Sequence, residues 1–235
     1  MKIALIVPGF SAHEGDWCIP ALLDFVRALA ATAQVHVFAL RWPERRQTYA
    51  VFGAVVHALG GREHLGAAGA LRLWARARQA VIAEHRRGRF ALLHAFWADE
   101  PGWVAAALGA HLRLPLAVSL AGGELIGLRA IGYGAQLLPG RGALIRWALR
   151  RAARVTAGSD YLLELARRAL PPDVRPKLLK APLGVDERLF APPDGVPSAA
   201  PPRPPLLRWL NVAALSPVKD QATLLRALAQ VPHAH

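Results

Sequence analysis

Cysteine is nearly missing: Cys18 is the single one among 235 residues. That excludes a disulfide framework and any multi-cysteine zinc site, and it fits a reducing compartment such as the cytoplasm. Lysine is scarce as well, limited to Lys2, Lys177, Lys180 and Lys219, so 25 of the 29 basic residues are arginine. Acidic residues number only 16, leaving a net charge of +13. Such an excess suits an anionic membrane surface, a phosphorylated substrate or a nucleic acid, but no basic run interleaved with aromatics occurs, so nucleic acid is not an expected partner. The longest uncharged stretch, TYAVFGAVVHALGG over 48–61, falls short of a membrane span and carries His57. The amino-terminal MKIALIVPGF is too short for a secretory signal. Three chemistry-bearing motifs are absent too: G-x-S-x-G, G-x-G-x-x-G and G-x-x-x-x-G-K-[ST]. A serine hydrolase, a dinucleotide site and a P-loop therefore lack their usual fingerprints.

What is present is an apolar content of 54%, enough for a packed core. Ile3 to Val7 forms a continuous apolar run closed by Pro8-Gly9, the pattern of a strand buried on both faces. A helical spacing follows over 19–31, then a strand at 34–40. The alternation continues with helices near 69–86, 101–112, 143–152 and 161–170 and strands at 90–95, 116–120, 154–157 and 177–180. This predicts an α/β fold, a Rossmann-like parallel sheet with helices on both faces.

Between the first strand and helix lies VPGFSAHEGDW, whose Gly9 and Gly15 permit close backbone approach and whose His13 can reach a cleft. His94 is expected at the carboxyl end of its strand, where α/β sites gather. Asp99 and Glu100 precede Pro101 at a helix start, and capping is the favoured reading over a general acid and base. His57, His64, His85 and His111 show no metal-ligand spacing, and no metal is expected.

Residues 191–205 are dense in proline, a stiff linker. Beyond it, LLRWLNVAAL reads as a strand and SPVKDQATLLRALAQV as a helix. One such unit cannot enclose a core. The expected division is therefore a domain over 1–190, a linker over 191–205, and over 206–235 the start of a second, truncated domain.

The order ARVTAGSDYLLELARR, KLLKAPLGVDERLFAPP, NVAALSPVKDQATLLRAL resembles glycosyltransferase family 4 across the chain. Leu183-Gly184-Val185-Asp186 with Phe190 stands at the family's N-G-V-D-x-x-x-F turn, and Lys219 at the lysine of its G-R-L-x-x-x-K-G segment. LLHAFWADEPGWVAAALGAHLRLPLAVSLAGGEL matches the strand, helix and strand that lead to a T-x-H-G-x-D-like loop. The resemblance implies a GT-B enzyme that moves a hexosyl unit from a nucleotide diphosphate sugar to a hydroxyl of a glycan or lipid-linked acceptor, with no cofactor. It implies an acceptor-side cleft near Gly9, His13, Gly15, His94, Gly122 and Glu124, with Lys219 facing the donor diphosphate. Three departures follow: Ala121 replaces the loop histidine, Ala214 replaces a diphosphate arginine, and the E-x7-E segment is not reached by residue 235. A partner supplying the missing half, a non-catalytic glycan- or partner-binding domain, and an α/β-hydrolase remain alternatives. Arg129, Arg141, Arg146, Arg150, Arg151 and Arg154 within 125–154 fit either peripheral contact with the inner membrane face or an ordinary solvated basic helix.

Overall fold

The opening apolar run becomes β1 (Lys2–Gly9), buried on both faces because it lies mid-sheet. A computed structural model describes residues 1–188, 191 and 209–231. Phe190 and almost all of the proline-rich 191–205 lie outside the described residues. After β1 come α1 (Pro20–Ala30), β2 (Gln34–Trp42), the hairpin β3 (Gln47–Val51) and β4 (Ala54–Ala58), α2 (Ala67–Arg87), β5 (Leu92–Phe96) and α3 (Glu100–Leu112). The chain continues through β6 (Leu116–Leu120), α4 (Arg141–Arg151), β7 (Arg154–Ala157), α5 (Asp160–Ala169) and β8 (Leu178–Lys180). The sheet order is β3-β4-β2-β1-β5-β6-β7-β8, parallel throughout except for the β3–β4 pair.

The uncharged stretch over 48–61 is mostly that hairpin. Phe52 (φ 46°) and Gly53 (φ 79°) form a two-residue turn with positive φ at both positions, the geometry that matches strand twist. Alternation along β1 divides the core. Ala4 and Ile6 join the side chains of α2, α3, α4 and α5 on one face, while Leu5 and Val7 join those of α1 on the other. Helices thus lie on both faces, but unequally.

Of the strand and helix expected over 206–235, the described residues hold the helix. The helix α6 (Gln221–Leu228) is present, capped by Asp220 accepting from the Thr223 amide. The strand expected before it is absent over the described 209–215, where Leu210, Val212 and Leu215 are exposed. A strand needs a hydrogen-bonded neighbour, and no described residue pairs with this segment. No helix among the described residues is long and apolar enough to cross a membrane.

The long β6–α4 connection, 121–140, is folded around glycines. Gly134 sits at φ +111°, and a Cβ there would stand 2.1 Å from the Ile126 carbonyl oxygen. Gly53, at φ +79°, has open space around it. Gly134→Ala is expected to lower urea-unfolding stability by about 2 kcal/mol more than Gly53→Ala, which costs roughly 1 kcal/mol. Equal losses would mean that this connection is not packed as described.

Candidate functional site

In an open parallel sheet, ligands collect outside the carboxyl ends of the strands, where the winding reverses. Here that point lies between β1 and β5. Two adjoining cavities open there. One, of about 740 Å³, includes Pro8, Arg41, Glu63, His64, Asp99 and Glu100; the other, of about 490 Å³, includes Trp97, Asp99, Glu124, Tyr133 and Leu138. Asp99 and Arg141 line both.

Three carboxylates meet at this edge, and each is treated differently. Glu100, 8% exposed, takes a two-point grip from Arg41, Nε donating to Oε2 at 2.5 Å and Nη2 to Oε1 at 2.9 Å. The Trp74 indole donates to the same Oε1 at 2.7 Å. Glu124 accepts from the backbone amides of Ala98 (3.4 Å), Ala121 (3.0 Å) and Gly122 (2.6 Å), so its charge is met by the loop it closes. Asp99 has no such provision: its Oδ1 is buried without a hydrogen-bond partner. Burial, reinforced by Glu124, pushes its carboxyl up to about 6, with Arg141 pulling the other way.

Neither acidic residue at the start of α3 acts as the side-chain cap that the sequence favours. Asp99 occupies the N-cap position but makes no capping bond, because its carboxylate turns into the cleft. Glu100 is turned toward β2 by Arg41.

The structure brings together only part of the expected set. Glu124 lines the smaller cavity, and Gly122, at φ +108°, starts the turn that presents it. Gly9 lies at the end of β1, where a Cβ would stand 2.9 Å from Trp42 Cβ; packing against β2 accounts for this glycine. His13 and Gly15 are exposed and line neither cavity, because the loop leans toward the hairpin: Tyr49 Oη donates to the Ser11 carbonyl and Phe52 N to Glu14. Ser11 Oγ is buried without a partner, so no histidine activates it. His94 falls in the middle of β5, since that strand spans Leu92–Phe96 in place of the expected 90–95. Its Nε2 pairs with Ser119 Oγ at 2.8 Å, which meets Thr156 Oγ1 at 2.8 Å, on the α1 face of the sheet. Burial lowers the His94 imidazole to about 4, which keeps it neutral at ordinary pH. Lys219 is exposed in the turn before α6.

Trp97 is a cleft residue that the sequence did not single out, and Arg141, read in the sequence only as part of a basic stretch, also lines the cleft. The one available signal was Asp99, three residues past the end of a buried strand. His57, read as having no metal-ligand partner, lies beside His36 and Glu84 at the opposite end of the sheet. No sequence spacing shows this, because the three come from two strands and a helix.

These assignments set a contrast in stability. Glu100→Ala leaves Arg41 Nε and Nη2 and the Trp74 indole without the carboxylate they donate to and is expected to cost about 3 kcal/mol in urea unfolding. Glu164→Ala, which removes exposed pairs with Arg167 and Arg168, should change stability by about 0.5 kcal/mol or less. Asp99→Asn should stabilise the protein above pH 6. The native carboxyl binds its proton more tightly than the unfolded one, so wild-type stability falls as pH rises from about 4 to about 6, and the variant should lose that slope. A slope unchanged in the variant would contradict the buried, unmet charge.

The sequence profile of Glycosyltransferase Family 4 matches residues 21–189. No curated protein matches the chain. Among solved structures, a sucrose-phosphate synthase from Thermosynechococcus elongatus is similar, with a TM-score of 0.59 and 18% identity over 81% of this chain and 50% of the synthase. A shorter chain of the same synthase aligns with a TM-score of 0.55 and 16% identity over 81% of this chain and 93% of that one. At such identities the likeness speaks to fold alone, and this chain spans half the length of the longer synthase chain. The family profile runs from α1 past β8 and takes in every strand of the sheet except β1, and the chain belongs to Glycosyltransferase Family 4.

Proposed function

We propose that the chain is the acceptor-side half of a glycosyltransferase that moves a hexosyl unit from a nucleotide diphosphate sugar to a hydroxyl acceptor. The observation that carries this reading is Asp99: a half-buried carboxylate that lines both cavities and has one buried, unpartnered oxygen, in a cleft at the winding reversal of a family 4 sheet. A hydroxyl entering the cleft gains a charge-assisted hydrogen bond to the edge of the carboxylate that lines the two cavities. As sugar transfer proceeds, the acceptor hydroxyl becomes more acidic, and a carboxylate with its pKa near 6 accepts from it more strongly than an ordinary one. Arg141 offers the complementary donor for an anionic or hydroxyl group of the same acceptor. Glu124 and Gly122 shape the floor, whereas Gly9, His13, Gly15 and His94 act at most indirectly from where they lie.

The donor belongs to a second half of which Lys219 and α6 form the beginning, completed by further sequence or by a partner chain. Ala214 in place of an arginine leaves Lys219 as the cation assigned to the diphosphate, which a lysine can stabilise without a metal. The acceptor is proposed to be a glycan or a lipid-linked one. Leu128, Ile131 and Leu138 in the β6–α4 connection and Leu144 on α4 are exposed in the same stretch as Arg129, Arg141 and Arg146, a mixture suited to the anionic inner face of a membrane. A cytoplasmic enzyme touching that face fits the unpaired Cys18.

Acceptor binding is tested by saturation-transfer NMR with a panel of oligosaccharides and short-chain lipid-linked sugars. Wild-type affinity should rise as pH increases through about 6, as the carboxylate forms. Asp99→Asn should weaken binding by about tenfold or more, the loss of one charge-assisted hydrogen bond, and abolish the pH dependence. Calorimetry with UDP- and GDP-hexoses should show weak binding to this chain alone. Binding of acceptors unaffected by Asp99→Asn, or ester turnover lost in Ser11→Ala, would overturn the reading.

A further inference from the structure

The interface between α2 and the sheet is apolar along most of its length. Leu73, Ala77 and Val81 form the buried stripe of the helix and rest on Phe38, Leu40 and their neighbours. The next position of that stripe is Glu84. The sheet positions beneath it are His36 on β2 and His57 on β4. Phe38 is the direct cross-strand partner of His57, so His36, two residues earlier, shares that face on the diagonal. Three polar side chains therefore replace hydrophobic ones at a single spot, and all three are types that ligate metals.

Their geometry is convergent. His36 Nδ1 and His57 Nε2 face each other at 3.1 Å, and Glu84 Oε2 lies 3.8 Å from the same His36 nitrogen. All three ligand atoms lie within 4.8 Å of one another. Two ligands on a tetrahedral zinc, each about 2.0–2.1 Å from it, stand roughly 3.3 Å apart, so the two nitrogens already have the required separation. Burial works against the charged form of both imidazoles. Burial lowers His57 to about 4 and lowers His36 as well. The fixed partners also divide the carboxylate suitably. Arg87 Nη1 holds Glu84 Oε1 at 2.6 Å, leaving Oε2 turned toward the histidines, the kind of outer contact that orients a metal-bound carboxylate. Lys2 is the opposing influence. Its ammonium donates to the Glu84 carbonyl at 3.1 Å, lies 3.9 Å from Oε2 and packs over the Phe90 ring. A cation so near weakens the hold on a divalent ion without blocking the ligand atoms.

We propose that His36, His57 and Glu84 form a zinc site that clamps the carboxyl-terminal turn of α2 to β2 and β4, with a solvent molecule as fourth ligand. The ligand set of two imidazoles and one carboxylate suits Zn²⁺, and Co²⁺ can report on the same site. The clamp is structural and independent of the acceptor cleft, since none of its residues lines either cavity there.

The test uses the whole chain, stripped with a chelator and desalted, then titrated with ZnCl₂ by calorimetry and with CoCl₂ by visible absorption. One equivalent should bind with micromolar affinity and give the intense bands of four-coordinate Co²⁺, and Zn²⁺ should raise the melting temperature. His57→Ala and Glu84→Gln should lose the Co²⁺ bands. His233→Ala/His235→Ala, which removes the other closely spaced histidines, should keep them. Lys2→Met should tighten Zn²⁺ binding by about tenfold by removing a nearby positive charge, a gain that a poorly folded variant could not produce. Absence of the Co²⁺ bands in the wild type, or their survival in His57→Ala, would overturn the proposal. Affinity unchanged or weakened in Lys2→Met would do the same.

Discussion

The ion pair between Arg41 and Glu100 is the contact on which the working edge of this protein depends. Arg41 extends from the end of β2 and Glu100 opens α3, so the pair joins two elements on either side of the central strand β1. The same guanidinium donates to the carbonyls of Arg62 and Glu63, fixing the β4–α2 connection, and Glu100 holds the Trp74 indole of α2. One arginine fork thus satisfies a buried carboxylate and two loop carbonyls at once. Planar, five-donor geometry makes arginine suited to this, where lysine would serve one acceptor well and leave the others.

The consequence for chemistry lies in what the pair leaves over. Asp99, Glu100 and Glu124 crowd together at one sheet edge, and like charges at such range raise one another's proton affinity. Glu100 is neutralised by Arg41 and Glu124 by three backbone amides. Asp99 keeps one oxygen without a partner, and burial with Glu124 nearby shifts its carboxyl upward against the pull of Arg141. The site is thereby built by subtraction: rigid partners absorb two acids so that the third stays available to a ligand. A residue carrying this burden is destabilising in the empty protein, which is a common property of binding residues held ready for a substrate.

Much of the fold was legible because its signals are local. An apolar run such as Ile3–Val7 suits a strand buried on both faces of a parallel sheet, and helices such as α1 and α5 carry a clear 3.6-residue stripe. The β3–β4 hairpin was not legible. Its turn is Phe52-Gly53 in place of the usual Asn-Gly, and its two strands merged into one uncharged stretch. The strand before α6 failed for the opposite reason: its β-forming residues are there, but no described residue pairs with 209–215. The cleft was half legible. Loop glycines and Glu124 follow from the family pattern, whereas Asp99 reads as a helix cap until the direction of its side chain is known. His36, His57 and Glu84 lie 21 and 27 residues apart in sequence, and only the register of β2 against β4 under α2 reveals that they meet.

The central claim is that Asp99 is the carboxylate left without a partner in the acceptor cleft. Carbon-13 NMR of the side-chain carboxyls, followed through an acid titration of the folded protein, tests it most directly. The account predicts an Asp99 midpoint of about 6, moving downward when an acceptor hydroxyl binds. A midpoint near the ordinary value of 3.8, unmoved by acceptor, would contradict it.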